Sequence, residues 1–313
     1  MQRSFIQLAS LLAFFSICQI SLANENIKII TNNWTSQIVL SHITGKIFTT
    51  LGQPVEYVKI STSDQWGALA RGTADVQIEV WEGTMSDQFT RLVSDRSITN
   101  AGTHTATTRE EWWYPSYVEE ICPGLPDWQA LRACAEFFAR PDSQGNGVYY
   151  AGPWEKPDEA KVRALNMNFE VRVLRSGDEL WIELNKAYKN KTPIVLFNWT
   201  PNWVESRFDG RFVEFPLYQP ACESDPKWGV NPEFLYDCGN PKDGWLKKVT
   251  STHFSDENSC AFKTLKNISF NNQQISEISA LVDVDNQSYQ AAASTWFEQN
   301  KPLWLSWIPQ ECQ

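Results

Sequence analysis

Beyond position 24 the chain alternates short β-branched runs with amphipathic stretches, and this alternation restricts the fold more than any other feature. The run 27–31 (IKIIT) reads as a strand. The polar turn 32–36 (NNWTS) follows, and Thr35 or Ser36 can cap a helix there. Over 37–51, Ile38, Val39, His42, Ile43, Ile47 and Leu51 fall on one helical face, and Gly52 stops the helix. A second strand is predicted at 55–60, a helix at 63–71 with Trp66 and Leu69 inward, and a third strand at 76–81 (VQIEVW). Strand, helix and strand in this order define an α/β sheet with largely parallel strands.

A second α/β unit is predicted over roughly 110–210. It opens with the extended segment 111–118 (EWWYPSYV), interrupted by Pro115, and a helix at 125–138. A strand at 170–174, a helix at 177–189 with Leu180, Trp181, Leu184 and Tyr188 inward, and a buried strand at 194–199 (IVLFNW) complete it. The stretch 215–250, dense in Pro, Gly and Asp, reads as loop, and helices are predicted at 261–267, 272–285 and 288–298.

The first 23 residues read as a secretory signal: Arg3, then an apolar stretch from Leu8 to Ile20, then the small residues Ser21 and Ala23 with cleavage expected near Ala23. Cys18 follows a bulky Ile17, which argues against lipid attachment, so a free soluble protein is expected. Beyond that signal six cysteines are left: Cys122, Cys134, Cys222, Cys238, Cys260 and Cys312. An even number in an oxidising compartment points to disulfides; nearest-neighbour pairing is the simplest of 15 possibilities, and the sequence does not choose among them. With no CxxC and three histidines (His42, His104, His253), no metal site is expected. A net charge of −10 repels phosphate backbones, so nucleic acid is not an expected partner.

Tryptophan carries the functional signal, with 15 in 313 residues. Trp34 follows the first predicted strand, Trp81 ends the third, and Trp199 ends the strand 194–199. Ligands of open α/β sheets bind at the carboxyl ends of strands, so these three are expected to converge on one cleft. Trp112, Trp113 and Tyr114 lie where the chain passes between the units, and Trp203 and Trp245 are further candidates. Aromatic faces suit a methylated onium group, which offers spread positive charge under an apolar coat and no strong donor. Trp66, Trp181 and Trp296 read as core, and Trp128, Trp154, Trp228, Trp304 and Trp307 as structural or surface residues.

The segments NNWTSQ (32–37), VQIEVWEGT (76–84), EWWYPSYV (111–118), CPGLPDWQAL (122–131), PIVLFNWTPNWV (193–204) and the stretch 222–245 resemble periplasmic binding proteins of glycine betaine/choline/trimethylamine N-oxide ABC importers. The resemblance implies a two-lobed periplasmic binding protein fold of type II: two α/β lobes joined by two hinge crossings. It divides the chain into 24–109 plus 211–313 for one lobe and 110–210 for the other. It implies cage positions at Trp34, Trp81 and Trp199, with Trp113 and Trp245 as looser matches. An inner-membrane permease is the implied partner, no cofactor is required, and a monomer is expected. Choline-binding relatives carry an aspartate where this chain has Ser36, which favours a ligand with an acceptor end: glycine betaine, trimethylamine N-oxide or dimethylsulfoniopropionate. Backbone N–H groups after Trp34, with Thr35, Ser36, Asn198 and Thr200, are candidate donors to that end, and Glu82 a candidate acceptor from a protonated ligand.

Two other classes stay open. A periplasmic glycan hydrolase needs a pair of carboxylates, and Asp75, Glu79, Glu82 and Asp87 cluster near Trp81. A sugar- or amino-acid-binding protein would interleave its tryptophans with Asp, Asn and Arg, or use an arginine fork.

Overall fold

The structure is a computed structural model that describes residues 25–154, 156–257 and 259–313; the signal segment lies outside them. Nine strands are found among the described residues: β1 (Ile27–Thr31), β2 (Val55–Lys59), β3 (Val76–Trp81), β4 (Ile98–Pro115), β5 (Gly147–Ala151), β6 (Phe169–Val173), β7 (Val195–Thr200), β8 (Gly210–Phe212) and β9 (Gly244–Ser251). Their order is β2-β1-β3-β9-β4-β7-β5-β6, with β8 also beside β4. Two parallel groups, β2-β1-β3 and β6-β5-β7, flank the antiparallel β9 and β4.

Helices α1 (Thr35–Thr50) and α2 (Gln65–Ala70) lie close to their predicted positions, and α3 (Glu82–Ser94) was not predicted. Helices Asn272–Asp283 and Tyr289–Gln299 pack on α1. Helix α1 is buried on most sides: Val39, Ile43 and Ile47 are fully buried, and polar Gln37 and Ser41 face the sheet, donating to the Ile30 carbonyl at 2.9 and 2.8 Å. No helix among the described residues is long and apolar enough to cross a membrane.

Strand β4 runs through both halves of the molecule. Its first part pairs with β9 as far as Thr108 opposite Gly244, and its second part pairs with β7 from Arg109 opposite Thr200. Residues 98–110 and β9 were not predicted as strands. The first is rich in Thr and broken by Gly102 at φ +102°, with no run of large apolar side chains. The second carries Lys247 and Lys248, yet Lys248 is fully buried and donates to the carbonyls of Lys266 and Ile268 at a helix end. Tertiary partners, rather than local hydropathy, make these segments strands.

The predicted return of the chain to the first lobe at 211 needs moving. Strand β8 pairs with β4 beyond the crossing, and Asn231 Nδ2 donates to the Ala164 carbonyl at 2.7 Å, so the segment after 210 stays with the second unit. We infer that the return crossing falls just before Gly244. There Asn240 ties the two crossings together. Its side chain donates to the Glu110 carbonyl at 2.6 Å, and its backbone N–H to Glu111 Oε2 at 2.8 Å. Glu111 is fixed from its other oxygen by Lys161 Nζ at 2.8 Å, with both side chains almost wholly buried.

The disulfides are Cys122–Cys134, Cys222–Cys238 and Cys260–Cys312, the nearest-neighbour set. The first two close loops of the second unit and the third fastens the C-terminus.

Removing one member of a buried ion pair leaves the other charged and unpaired. Lys161→Met is expected to cost about 3–5 kcal/mol, read from the urea midpoint, and Glu111→Gln in the same chain to recover part of that loss.

Candidate functional site

A small cavity lies between the two halves, lined by Trp34, Trp81, Thr84, Met85, Glu110, Trp154, Phe197 and Trp199. Local geometry explains why these residues meet. Trp34 and Trp81 have extended backbones and stand immediately before α1 and α3, at the carboxyl ends of adjacent parallel strands. Trp154 lies just past β5, and Trp199 near the end of β7, again parallel neighbours. Glu110 pairs across the sheet with Trp199. Phe197 and Trp199 are two residues apart on β7 and share the face that looks into the cavity.

Glu79 fixes the first pair of indoles. Its Oε2 accepts from Trp34 Nε1 at 2.7 Å, Trp81 Nε1 at 3.0 Å and Ser36 Oγ at 3.1 Å. Both ring planes are therefore set by one fully buried oxygen. Burial pushes this carboxyl up to about 7, against the three donors, which pull it down. Trp154 is held from the opposite half: its Nε1 donates to Asn33 Oδ1 at 3.0 Å, and its ring meets Trp34 edge-on at 6.4 Å and Trp199 at 5.1 Å. Three of the four indole N–H groups are thus turned to protein acceptors.

The polar end of the cavity is Glu110 and Thr84. Thr84 Oγ1 donates to Glu110 Oε1, while Oε2 has no hydrogen-bond partner among the described atoms. Lys156 Nζ lies 3.6 Å from Oε1 and donates to the Gly83 carbonyl at 3.2 Å.

The structure brings Trp34, Trp81 and Trp199 to the cavity and places the other sequence candidates elsewhere. Trp113 lies on the opposite face of β4 from Glu110, against Gly210, where an added Cβ would stand 1.9 Å from its ring. Trp245 packs on Phe89 at 5.3 Å, and its face is covered by Lys247 Nζ at 3.9 Å, a cation the protein supplies itself. Trp203 packs on Trp181 and Phe208, and Trp112 stacks on Tyr149 at 3.8 Å. Ser36 serves Glu79 behind the indoles, and Thr35 Oγ1 donates to Asp283 Oδ1 at 2.7 Å. Asn198, between Phe197 and Trp199, must face the other way and accepts from Asn202 Nδ2 at 2.7 Å.

Of the carboxylates that kept a hydrolase open, Asp75 accepts from the Lys28 N–H at 2.8 Å, Glu79 is sealed behind the indoles, and Glu82 accepts from the Trp245 N–H at 2.9 Å. Sequence reasoning missed Trp154 and Glu110. The strand GVYYA at β5 carries the signal for Trp154, since the same strand-end rule then selects it. Glu110 has no local signal; its pairing with Trp199 identifies it.

Two α/β halves joined by two crossings, with an aromatic cavity between them, define a solute-binding protein of the two-lobed kind. The chain belongs to the family described as the substrate binding domain of the ABC-type glycine betaine transport system, whose model matches residues 25–299. It is 36% identical over 304 residues to the trimethylamine N-oxide-binding protein of Pelagibacter ubique (strain HTCC1062), covering 94% of each chain. Its fold is similar to that of an ABC-transporter choline-binding protein in complex with choline (TM-score 0.71, 18% identity, 91% of this chain and 93% of that one). It is also similar to lactococcal OpuAC in its closed-liganded conformation with glycine betaine (TM-score 0.69, 15% identity, 91% and 100%). This is a substrate-binding protein of the ABC-type glycine betaine transport family.

Because Glu79 holds its proton more tightly in the fold than in the unfolded chain, its contribution to stability is complete below pH 4.5 and is lost as pH rises to about 7. The stability difference between wild type and Glu79→Gln is expected to shrink by about 3 kcal/mol across that window and then stay level, measured by urea unfolding at stepped pH.

Proposed function

We propose that this protein captures trimethylamine N-oxide in the inter-lobe cavity and delivers it to the permease of an ABC importer. The observation that carries the reading is the convergence of four indoles, two from each half, on one small cavity. The cavity is small and its lining is dominated by aromatic rings, which suits a solute of few heavy atoms. The name of the Pelagibacter relative agrees with that choice.

The cationic head sits against the faces of Trp34, Trp81, Trp154 and Trp199, with the free oxygen of Glu110 as a further wall. Each indole contributes roughly 0.5–2 kcal/mol, so four supply about 2–8 kcal/mol, the upper end reaching micromolar binding. Ligand bridging both halves favours the closed state by its differential affinity. The activity is capture and release, with no bond made or broken. Export by the segment 1–23, cleavage near Ala23 and action as a periplasmic monomer belong to the same proposal.

Titration followed by tryptophan fluorescence is expected to give a saturable response to trimethylamine N-oxide and none to a sugar or an amino acid. Trp34→Ala, Trp81→Ala, Trp154→Ala and Trp199→Ala are each expected to weaken binding about tenfold or more, with the fold retained by circular dichroism. Normal binding by all four variants would place the cage elsewhere; a stronger response to glycine betaine or dimethylsulfoniopropionate would change the solute but keep the site.

A further inference from the structure

We infer that Lys156 sets the charge selectivity of the cavity, pairing with Glu110 so that the site fits an onium solute of no net charge and rejects a net cation. The inference rests on the onium reading above and names the feature that chooses among onium solutes.

A desolvated carboxylate beside four indoles would by itself trap any cation of suitable size. Glu110 is not by itself. Its side chain and that of Lys156 are 6% and 5% exposed, and Nζ stands 3.6 Å from Oε1. The ammonium is positioned from three directions. It donates to the Gly83 carbonyl at 3.2 Å, lies 5.1 Å from the centre of the Phe197 ring, and faces the carboxylate that Thr84 also holds. Gly83 confines the carboxylate from the other side: an added Cβ there would stand 2.6 Å from Oε2. Two further carboxyls lie in the field of Lys156, but both are turned to other partners and neither lines the cavity. Asp158 accepts from Trp112 Nε1 at 3.0 Å, and Glu223 engages Tyr218.

The pair therefore presents a negative oxygen to the cavity with a positive charge close behind it. A net cation gains from the first and loses to the second. A neutral solute with separated charges is affected less by either, because its oxygen offsets its onium centre. In a water-poor site these charge interactions are screened far less than at the surface.

Trimethylamine N-oxide and tetramethylammonium separate the effects, since they differ by an oxygen in place of a methyl. Calorimetric titration of the purified protein with each is expected to show wild type preferring the N-oxide. In Lys156→Met tetramethylammonium should bind more tightly than in wild type and the N-oxide should change less, moving the ratio toward the cation by about tenfold or more. Lys156→Arg should keep the wild-type ratio, and Glu110→Gln should move it the opposite way, with tetramethylammonium losing more. Near-ultraviolet circular dichroism checks the fold; if Lys156→Met does not fold, the Arg and Gln variants decide. Where wild type binds the N-oxide, equal weakening of both solutes or an unchanged ratio in Lys156→Met would make Lys156 a structural prop and overturn the inference alone. Wild type that binds neither solute would overturn the onium reading and the inference with it.

Discussion

Everything around the cavity depends on where two indole N–H groups go. A tryptophan whose ring face is needed must have its N–H satisfied elsewhere, or the ring turns to find a partner. Here a single oxygen of Glu79 takes both Trp34 and Trp81, with Ser36 as a third donor. The two rings come from separate strand-helix junctions, and the shared acceptor locks them to each other as well as to the sheet. The cost is a fully buried carboxyl, expressed in its raised affinity for a proton. Glu79 thus stands behind the cage and fixes its shape.

The second half supplies the other two rings through a different device. Trp154 reaches across to Asn33, and Lys156 in the same loop reaches to Gly83, so this loop closes the cavity by bonds to the turns that carry Trp34 and Trp81. Strand β4 links these events to the crossings. Glu110 faces the cavity, and its neighbour Glu111, on the other side of the strand, is gripped by Lys161 and Asn240. In the proposed role, a solute resting against Glu110 touches the strand whose next residue anchors the return crossing.

Charge is distributed accordingly. Aromatic faces provide attraction that does not depend on a counter-ion, which suits a solute already neutral overall. The carboxylates near the cage are each engaged: Glu79 by indoles, Glu82 by a backbone N–H, Glu110 by Thr84 and Lys156. Trp245 shows the same rule in reverse, since its face is occupied by Lys247 and so is not free for a solute cation.

The sequence by itself determined the alternating α/β pattern, the disulfide-forming cysteines and the three tryptophans at strand ends. Those signals are local: periodicity, composition, and the position of a residue at the end of a run. It did not determine which way those tryptophans' neighbours point, because that follows from pairing. Asn198 is excluded from the cavity by strand alternation between Phe197 and Trp199, and Ser36 by its bond to Glu79. Trp154 was missed because the short run GVYYA before it was not read as a strand, and Glu110 because only β4 crossing between the halves places it opposite Trp199. The cavity is a long-range object, built where four strand ends from distant parts of the chain meet. Its shape and charge were therefore decided by the tertiary structure alone.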